Sequence, residues 1–504
     1  MVGFMITASS TPLPVIAAIL FGLAVLHTFC TRFFEHLAHT HPAHSGLCHL
    51  LGEVEAVFGL WAFLLLAFMA LMEGWTAAGQ YLHARPFVEP MFVFVIMVVA
   101  ASRPVMQVAS DAVARTARRL PMRGELAVYF LSLSMVPLLG SFITEPAAMT
   151  LAALMLRDTL FTRAVSARLK YATLGVLFVN VSIGGTLTSF AAPPVLMVAG
   201  TWEWTTAHIF SVLGWKSALA LLINSGLATF IFRRELALRA GTARTASQGR
   251  VPPMLVAIHI GLLASIVMTN HHPETFMGLF LLFLGLAEAY KRHHDRLILR
   301  EGLMVAFFLA GLVVLGGQQR WWLQSVLSSL DGSTLFFGAA ALTAITDNAA
   351  LTYLGSLVEG TSEPFRYALV AGAVAGGGLT VIANAPNPAG FAILKDCFDE
   401  RSINPLGLFA AAVPPTAVAI VCLWGLRGQI EEAFDIAMWS DWFAGLHPSF
   451  LFLLILPFVV GAVGLWSYHR EQVAAGDARH STPKADDRLA VSPRATGSMK
   501  PARG

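Results

Sequence analysis

Long apolar runs alternate with short polar stretches along most of this 504-residue chain. Each run is long enough to cross the roughly 30 Å hydrocarbon core of a bilayer. The runs begin near residues 14, 54, 87, 209, 252, 275, 302, 406 and 448. Two further apolar stretches, 171–200 and 366–398, are interrupted by glycine and proline. The pattern predicts an all-α polytopic membrane protein with about 11 transmembrane helices, two of them broken.

Two other apolar segments, 126–156 and 335–360, are broken near the middle. The breaks fall at Gly140–Pro146 and at Thr343–Asn348. We expect each segment to form a re-entrant hairpin, which enters and leaves the membrane on the same side. Non-helical backbone at this depth is tolerated only where it is buried in protein or lines a wet cavity.

Two motifs occur twice, once in each half of the chain. T-E-P-A-A-M-T at Thr144–Thr150 recurs as T-D-N-A-A-L-T at Thr346–Thr352. G-G-T-L-T-S-F-A-A-P-P at Gly184–Pro194 recurs as G-G-G-L-T-V-I-A-N-A-P at Gly376–Pro386. A buried acid and an interrupted helix in each half are typical of transporters built from inverted-topology repeats. We therefore predict a first inverted repeat at 1–232, a cytoplasmic linker at 233–250, a second inverted repeat at 251–427, an extra C-terminal transmembrane helix at 428–470 and a disordered cytoplasmic tail at 471–504.

Composition and charge support this layout. The chain is 56% hydrophobic and 12% charged, whereas about 25% of the residues of a soluble domain are charged. An alternating topology with the N-terminus outside and the C-terminus in the cytoplasm places most of the 33 lysines and arginines inside, as the positive-inside rule requires. The net charge of +3 argues against a nucleic-acid partner, and the four cysteines show no disulfide or zinc spacing.

The duplicated acids, Glu145 and Asp347, are the candidate chemical groups. A carboxylate at membrane depth is rare unless it is functional. Pro146 suits the first turn of a helix, and Asp347 is a good N-cap. At a helix N-terminus the dipole favours the anion while desolvation favours the protonated form. This balance would let each acid exchange a proton for a cation, although a role as a simple N-cap or an ion-paired hairpin residue stays open.

Neighbouring groups would complete an oxygen shell suited to Na⁺. The hairpins would supply side-chain groups of Thr144, Thr150, Thr346, Asn348 and Thr352. The unwound segments would supply backbone carbonyls and side chains of Gly184, Gly185, Thr188, Gly376, Gly377, Thr380 and Asn384. Asn384 and Asn387 have no amide counterpart in the first half, so the two halves are not chemically equal. The alternative is a kinked helix packed closely on a neighbour, which glycine and proline also permit.

A histidine-rich loop is a weaker feature. His36, His39, His41, His44 and His49 crowd one predicted inside loop. Their spacing matches no standard zinc signature, and no H-E-x-x-H motif is present. A solvated loop, a pH-sensing cluster and a metal site are all compatible with this pattern, and a membrane-embedded metalloenzyme is the corresponding alternative function. We expect no cofactor and no metal beyond transported Na⁺.

With these motifs, the chain resembles the putative bacterial Na⁺/H⁺ antiporter family of the ion transporter superfamily, which also includes arsenite exporters and dicarboxylate carriers. The stretch H-L-L-G-E-V-E-A-V-F-G-L-W-A at His49–Ala62 is also similar to this family. The resemblance covers most of 14–468 and implies a homodimer in which a hairpin-bearing domain moves like an elevator against a scaffold. In dicarboxylate carriers, the hairpin positions that resemble Glu145 and Asp347 have neutral Ser-Asn-Thr triplets. This chain differs from them by having acids there.

The expected function is therefore a secondary active antiporter in the bacterial inner membrane rather than an enzyme. It would exchange Na⁺, or another monovalent cation, for H⁺, with membrane lipids as its surroundings. The alternative is a Na⁺-coupled carrier of small organic acids or oxyanions. The two acids favour cation/proton exchange, because two extra carboxylates would repel an anionic substrate.

Overall fold

A computed structural model describes residues 12–40, 44–161, 165–238, 250–398 and 402–427. The described residues form helices and turns, with no strand among them. In the first half the helices are α1 Leu13–Phe29, α2 Thr31–Thr40, α3 Ser45–Leu51, α4 Val54–Glu73, α5 Trp75–His83, α6 Val88–Ala100, α7 Arg103–Ala117, α8 Gly124–Leu133, α9 Met135–Ile143, α10 Glu145–Leu156, α11 Ala167–Gly184, α12 Pro193–Ala199, α13 Thr206–Ile209 and α14 Trp215–Leu238.

The described residues of the second half also form helices and no strand. Its helices are α15 Pro253–Met268, α16 Pro273–Ala289, α17 Leu299–Gly316, α18 Arg320–Leu327, α19 Gly332–Thr343, α20 Asn348–Ser356, α21 Glu363–Gly376, α22 Asn387–Leu394 and α23 Pro405–Gly425. The predicted crossing at 448–468 and the predicted tail at 471–504 lie outside the described residues.

Four of the described helical stretches are long and apolar enough to cross a membrane: Val54–Glu73, Thr206–Ala237, Leu299–Gly316 and Pro405–Gly425. Two bent pairs, α5 with α6 and α8 with α9, raise the number of candidate spans to as many as six. Helices α1, α15 and α19 are apolar but shorter. The chain is thus a helical, multi-pass membrane protein; the number of about 11 spans remains a prediction.

The 41° bend between α8 and α9 has a local chemical cause. Pro137 has no N–H, so it cannot donate to the carbonyl of Leu133 one turn earlier. That carbonyl instead accepts hydrogen bonds from Asn180 Nδ2 at 2.7 Å and from Ser225 Oγ at 2.8 Å. Polar side chains of α11 and α14 therefore satisfy the backbone group that the proline leaves free, and they fix the position of α9 in the bundle.

The helix ends around the two motif pairs meet across the halves. Helix α10, which begins at the first acid motif, packs against α22, which follows the second glycine-rich break. Helix α20, which begins at the second acid motif, packs against α12, which follows the first glycine-rich break. Helices α11 and α21 contact each other beside them. Four helix ends from distant parts of the sequence are thereby brought together.

Helices α4 and α17 touch backbone to backbone away from this centre. A Cβ atom added at Gly311 of α17 would lie 2.6 Å from Cα of Gly59 on α4. A Cβ added at Gly59 would lie 2.6 Å from Cδ1 of Phe307. Because real Cβ atoms do not approach backbone this closely, Gly311 has to be glycine, whereas a side chain at Gly59 would require the ring of Phe307 to move.

We expect Gly311→Val to destabilise the protein by roughly 3 kcal/mol, because the neighbouring atoms are backbone and cannot rotate away. Gly226→Val is the matched control, since a Cβ at Gly226 of α14 would meet nothing within 4 Å. Thermal unfolding in detergent, followed by size-exclusion chromatography, measures the difference. Equal unfolding temperatures for the two variants would contradict the close α4–α17 crossing.

Candidate functional site

The carboxylate of Glu145 is the centre of the site. Glu145 is the first residue of α10 and is fully buried. Asn384 Nδ2 donates a 2.8 Å hydrogen bond to its Oε2, whereas Oε1 has no partner among the described residues. The described residues also provide no salt bridge to this acid. A buried anion with one neutral hydrogen bond is far from compensated.

Glycine makes this placement of the acid possible. A Cβ added at Gly185 would lie 2.7 Å from Cγ of Glu145 and 3.0 Å from Cβ of Ala192. Any side chain at Gly185 would therefore displace the acid. Gly184, the residue before it, ends α11, and its carbonyl accepts a 2.7 Å hydrogen bond from Ser141 Oγ of α9. The first glycine pair thus both ends the helix and admits the carboxylate.

The residue before the acid has a strained backbone. Thr144 has φ 70° and ψ 151°, a region that is essentially reserved for glycine and that raises the energy by about 1–3 kcal/mol. Only one other non-glycine residue in the described chain, Glu203, has a positive φ. This conformation turns the chain sharply from α9 into α10. It also leaves the buried Thr144 Oγ1 with no partner among the described groups.

Asp347 occupies a different environment. It is half-buried and caps α20, with Oδ1 accepting from the N–H of Ala349 at 2.8 Å and of Ala350 at 3.2 Å. The sequence prediction of an N-cap is confirmed at this position. The helix dipole and the two N–H donors stabilise the carboxylate. Asp347 is therefore the better-solvated acid and Glu145 the more isolated one.

A three-residue segment of the second broken helix contacts both acid motifs. Ala383 accepts a 3.1 Å hydrogen bond from the N–H of Asn348. Asn384 donates to Glu145, as described, and the backbone of Ala385 is close enough to the carboxylate of Asp347 to interact with it electrostatically. The charge of Asp347 also acts electrostatically on Glu145. The structure therefore brings the two predicted acids into one electrostatic neighbourhood, joined by 383–385.

Several other buried oxygens near these helix ends lack partners in the described chain. Asn348 is fully buried, and neither side-chain atom of its amide is paired. Asn387 donates 2.8 Å hydrogen bonds to the carbonyls of Gly377 and Thr380 but leaves its own oxygen unpaired. The full set of unpaired side-chain oxygens on these motifs is Thr144 Oγ1, Glu145 Oε1, Asn348 Oδ1, Asn384 Oδ1 and Asn387 Oδ1. Each such group raises the energy of the fold by about 1–3 kcal/mol, and oxygen atoms of this type suit a hard cation.

Other predicted ligands hold the helices in place. Thr188 donates to the carbonyl of Ser141 at 2.7 Å, and Thr380 donates to that of Ala344 at 2.8 Å. Each of these bonds ties a broken helix to the first arm of a hairpin. Three further hydroxyls bond to nearby backbone carbonyls: Thr150 to Pro146, Thr346 to Asp347 and Thr352 to Ala349. A Cβ atom added at Gly376 would lie 3.0 Å from Cα of Ala340, so these two backbones are in close contact.

Two residues outside the predicted ligand set belong to this network. Asn387 holds the unwound carbonyls of the second half, and Ser182 of α11 donates a 2.8 Å hydrogen bond to the carbonyl of Val374 on α21. The amide of Asn387 inside a glycine- and proline-rich stretch was a visible sequence signal. The position of Ser182 just before the first glycine pair left a ligand role and a helix-packing role equally open, because a small polar residue in an apolar helix has many structural roles.

The histidine-rich loop shows no metal centre in the part that the structure describes. His41 lies outside the described residues, as does the side chain of His39. Within the described chain, no group of three or more histidine, cysteine, aspartate or glutamate side chains could hold a metal ion.

The chain matches a known protein family over most of its length. The model of the family described as "Putative Na+/H+ antiporter" matches residues 12–426. The match spans most of the 504 residues, and it includes both acid motifs and both glycine-rich breaks. No protein with a curated description matches the chain.

The strain at Thr144 can be measured with two substitutions that both remove its hydroxyl. Thr144→Gly should be more stable than Thr144→Ala by about 1–2 kcal/mol, because glycine adopts a positive φ freely and alanine does not. Unfolding temperatures in detergent give the comparison. An alanine variant as stable as the glycine variant would show that residue 144 is not strained.

Proposed function

Because the chain belongs to the putative Na⁺/H⁺ antiporter family, we propose that it exchanges Na⁺, or another monovalent cation, for H⁺ as a secondary active transporter. We place it in the inner membrane of a bacterium, with no cofactor and no metal other than transported Na⁺. One observation carries the proposal: Glu145 is fully buried and has an oxygen atom with no partner among the described residues.

The proposed exchange follows from the energetics of a buried carboxylate. An uncompensated charge in the interior is strongly unfavourable, so the acid is stable only when a positive species neutralises it. A proton does so by covalent attachment to an oxygen, and Na⁺ does so by coordination. Both use the same oxygen atoms of Glu145, so occupancy by one excludes the other. Mutually exclusive binding at a site that opens to each side in turn produces antiport.

We assign Asp347 a supporting role in the same site. Its carboxylate is held by the α20 N-terminus and acts electrostatically on Glu145. Two negative charges in one neighbourhood repel each other and raise the affinity for a cation that lies between them. Thr144, Asn348, Asn384 and Asn387 are the proposed oxygen ligands beside the acids. The alternative, a Na⁺-coupled carrier of organic acids or oxyanions, fits less well because both acids would repel its substrate.

We further propose that the chain is built from two inverted repeats, 1–232 and 251–427, joined by the linker 233–250. Reciprocal packing supports this: α10 lies on α22 and α20 lies on α12. The same reciprocity holds farther out, where α4 contacts α17 and α6 contacts α16. The extra helix at 428–470 and the tail at 471–504 complete the proposed order, with the N-terminus outside and the C-terminus in the cytoplasm.

The proposed assembly is a homodimer in a lipid bilayer, as the family resemblance implies. The hairpins α8–α10 and α19–α20 and the two broken helices would form the moving part. Helices α1, α4, α17, α6, α16 and α15 contact one another in that order, and they would form the scaffold. This arrangement would carry the site across the membrane as one body.

Neutralising either acid should abolish or sharply reduce exchange. Glu145→Gln removes the fully buried group that binds the proton in the proposed mechanism, so we expect no proton-coupled Na⁺ flux in proteoliposomes. Asp347→Asn keeps the helix cap but removes the charge, and we expect at least about a tenfold loss. The measurement is the change in fluorescence of an internal pH dye when Na⁺ is added.

Glu288→Gln is the matched control, because Glu288 is exposed and pairs only with Lys291 on the surface. Its flux should equal that of the unmodified protein. Sodium-dependent proton movement that persists in both Glu145→Gln and Asp347→Asn would refute the assigned site. Solute-dependent Na⁺ uptake without proton movement would instead support the carrier alternative.

The inverted repeat predicts opposite sidedness for two equivalent positions. Ala167 begins α11, Ser362 precedes α21, and both are exposed. In a chain whose four cysteines are replaced by alanine, a membrane-impermeant maleimide should label Ser362→Cys in intact cells. Ala167→Cys should react only after the membrane is permeabilised. Labelling of both from the same side would rule out the inverted arrangement.

A further inference from the structure

A cavity of about 310 Å³ lies apart from the two acids. It forms where the start of α6, the segment between α11 and α12, the end of α12 with its following loop, and the loop between α15 and α16 come together. In the proposed topology the start of α6, the loop after α12 and the loop between α15 and α16 are on the outer side of the membrane, and the segment between α11 and α12 lies within it. The cavity can hold about ten water molecules at roughly 30 Å³ each, so a partly hydrated ion fits inside it.

We propose that this outer cavity is a loading site for the transported cation, in which Glu89 is the first carboxylate that the cation meets. The inference rests on the proposed function, because it names the route by which the cation reaches Glu145. It adds a second cation site, on a different helix, to the site formed by the repeated motifs.

The charge of the cavity lining favours a cation. Glu89 and Glu203 both line the cavity, whereas no lysine or arginine of the described chain does so. His271 is the only other titratable side chain among the described lining residues, and it acts electrostatically on Glu89. A concave surface with one sign of charge concentrates ions of the opposite sign. The cavity is therefore unsuited to an anion.

Glu89 is only partly compensated by the described residues. It lies in the first turn of α6, where the helix dipole favours its ionised form. Its Oε2 atom is buried and has no hydrogen-bond partner among the described residues. Gly200 leaves room beside the other oxygen, since a Cβ there would lie 3.3 Å from Glu89 Oε1. In a glutamate that serves only to begin a helix, both carboxylate oxygens face solvent or a hydrogen-bond donor. In Glu89, one oxygen is buried and none of the described groups donates to it.

The cavity and the buried acid share one stretch of backbone. Ser189 lines the cavity and lies in the non-helical segment between Gly184 and Pro193. Gly185 and Ala192, at the two ends of that segment, pack against each other beside Glu145. Helix α12 also lines the cavity, through Leu196, and packs against α20, which Asp347 caps. In this proposal the cation passes along this segment from the cavity to the acids.

The charge selectivity of the cavity can be measured without transport. In the cysteine-free chain, Ser189→Cys should react with methanethiosulfonate reagents added from outside, and faster with a cationic than with an anionic reagent. Adding Glu89→Gln should lower this rate ratio by about 3- to 10-fold, because the local negative potential is lost. Glu89→Asp keeps the charge and should keep the ratio, which separates the loss of charge from any change in folding.

Glu274→Gln is the matched control for charge on the same face, since Glu274 is exposed and lies near His272 rather than in the cavity. It should leave the rate ratio unchanged. Failure of the cysteine at position 189 to react from outside would overturn the proposal. A rate ratio that Glu89→Gln does not alter would overturn it as well.

A transport measurement links the cavity to the exchange. With Na⁺ supplied on the outer side, Glu89→Gln should raise KM for Na⁺ about tenfold and leave kcat within about twofold, because the acid at the reaction centre is intact. An unchanged KM would overturn the loading role. If the unmodified chain itself shows no cation/proton exchange, the proposed function fails, and the labelling ratio alone then decides whether the cavity attracts cations.

Discussion

The burial of one carboxylate, that of Glu145, is the constraint on which the rest of the site depends. Removing a carboxylate from water costs several kcal/mol even after the protein relaxes. The described residues compensate it with the α10 N-terminus and one hydrogen bond from Asn384. That bond contributes about 1.5–3 kcal/mol because it is made to a charged group. In the proposed mechanism the remainder comes from a bound proton or cation, so the acid is a site that requires occupancy.

The local geometry is arranged around this requirement. Thr144 is held in a glycine-like conformation so that α10 begins at the acid, and Gly185 has no side chain so that the acid fits. Asn384 comes from the other half of the chain, 239 residues away in sequence. Since Ala383 in the same segment bonds to Asn348 and Ala385 interacts electrostatically with Asp347, any movement of this segment changes both acid motifs together.

Sequence reasoning reached the features that local chemistry determines. Asp347 was predicted to be an N-cap and is one, since its side chain bonds to the next N–H groups of its own helix. Pro146 lies in the first turn of α10, and helices end at the glycine pairs, because proline and glycine act on the adjacent backbone. The all-helical membrane class followed equally directly from the length of the apolar runs.

Contacts between distant segments were beyond the sequence. The Asn384–Glu145 bond joins two halves whose packing no local pattern encodes. Thr188 and Thr380 were predicted as ligands, yet their hydroxyls bond to backbone carbonyls of the hairpins. In the sequence, a threonine near a helix break looks the same whether it binds a cation or donates to a backbone carbonyl. Similarly, Asn180 compensates the carbonyl that Pro137 leaves unpaired four residues earlier, which only the packing of α11 on the end of α8 reveals.

The unpaired oxygens distinguish the two occupants in the proposed mechanism. A proton on Glu145 neutralises the acid but leaves the side-chain oxygens of Asn348, Asn384 and Thr144 without a donor, unless the new O–H donates to one of them. A cation can contact several of these oxygens at once. Cation affinity therefore depends on the hairpin and the second broken helix being in register, whereas proton affinity depends mainly on burial of the acid. A shift between these two elements would then release the cation and favour the proton, which is the alternation that antiport requires.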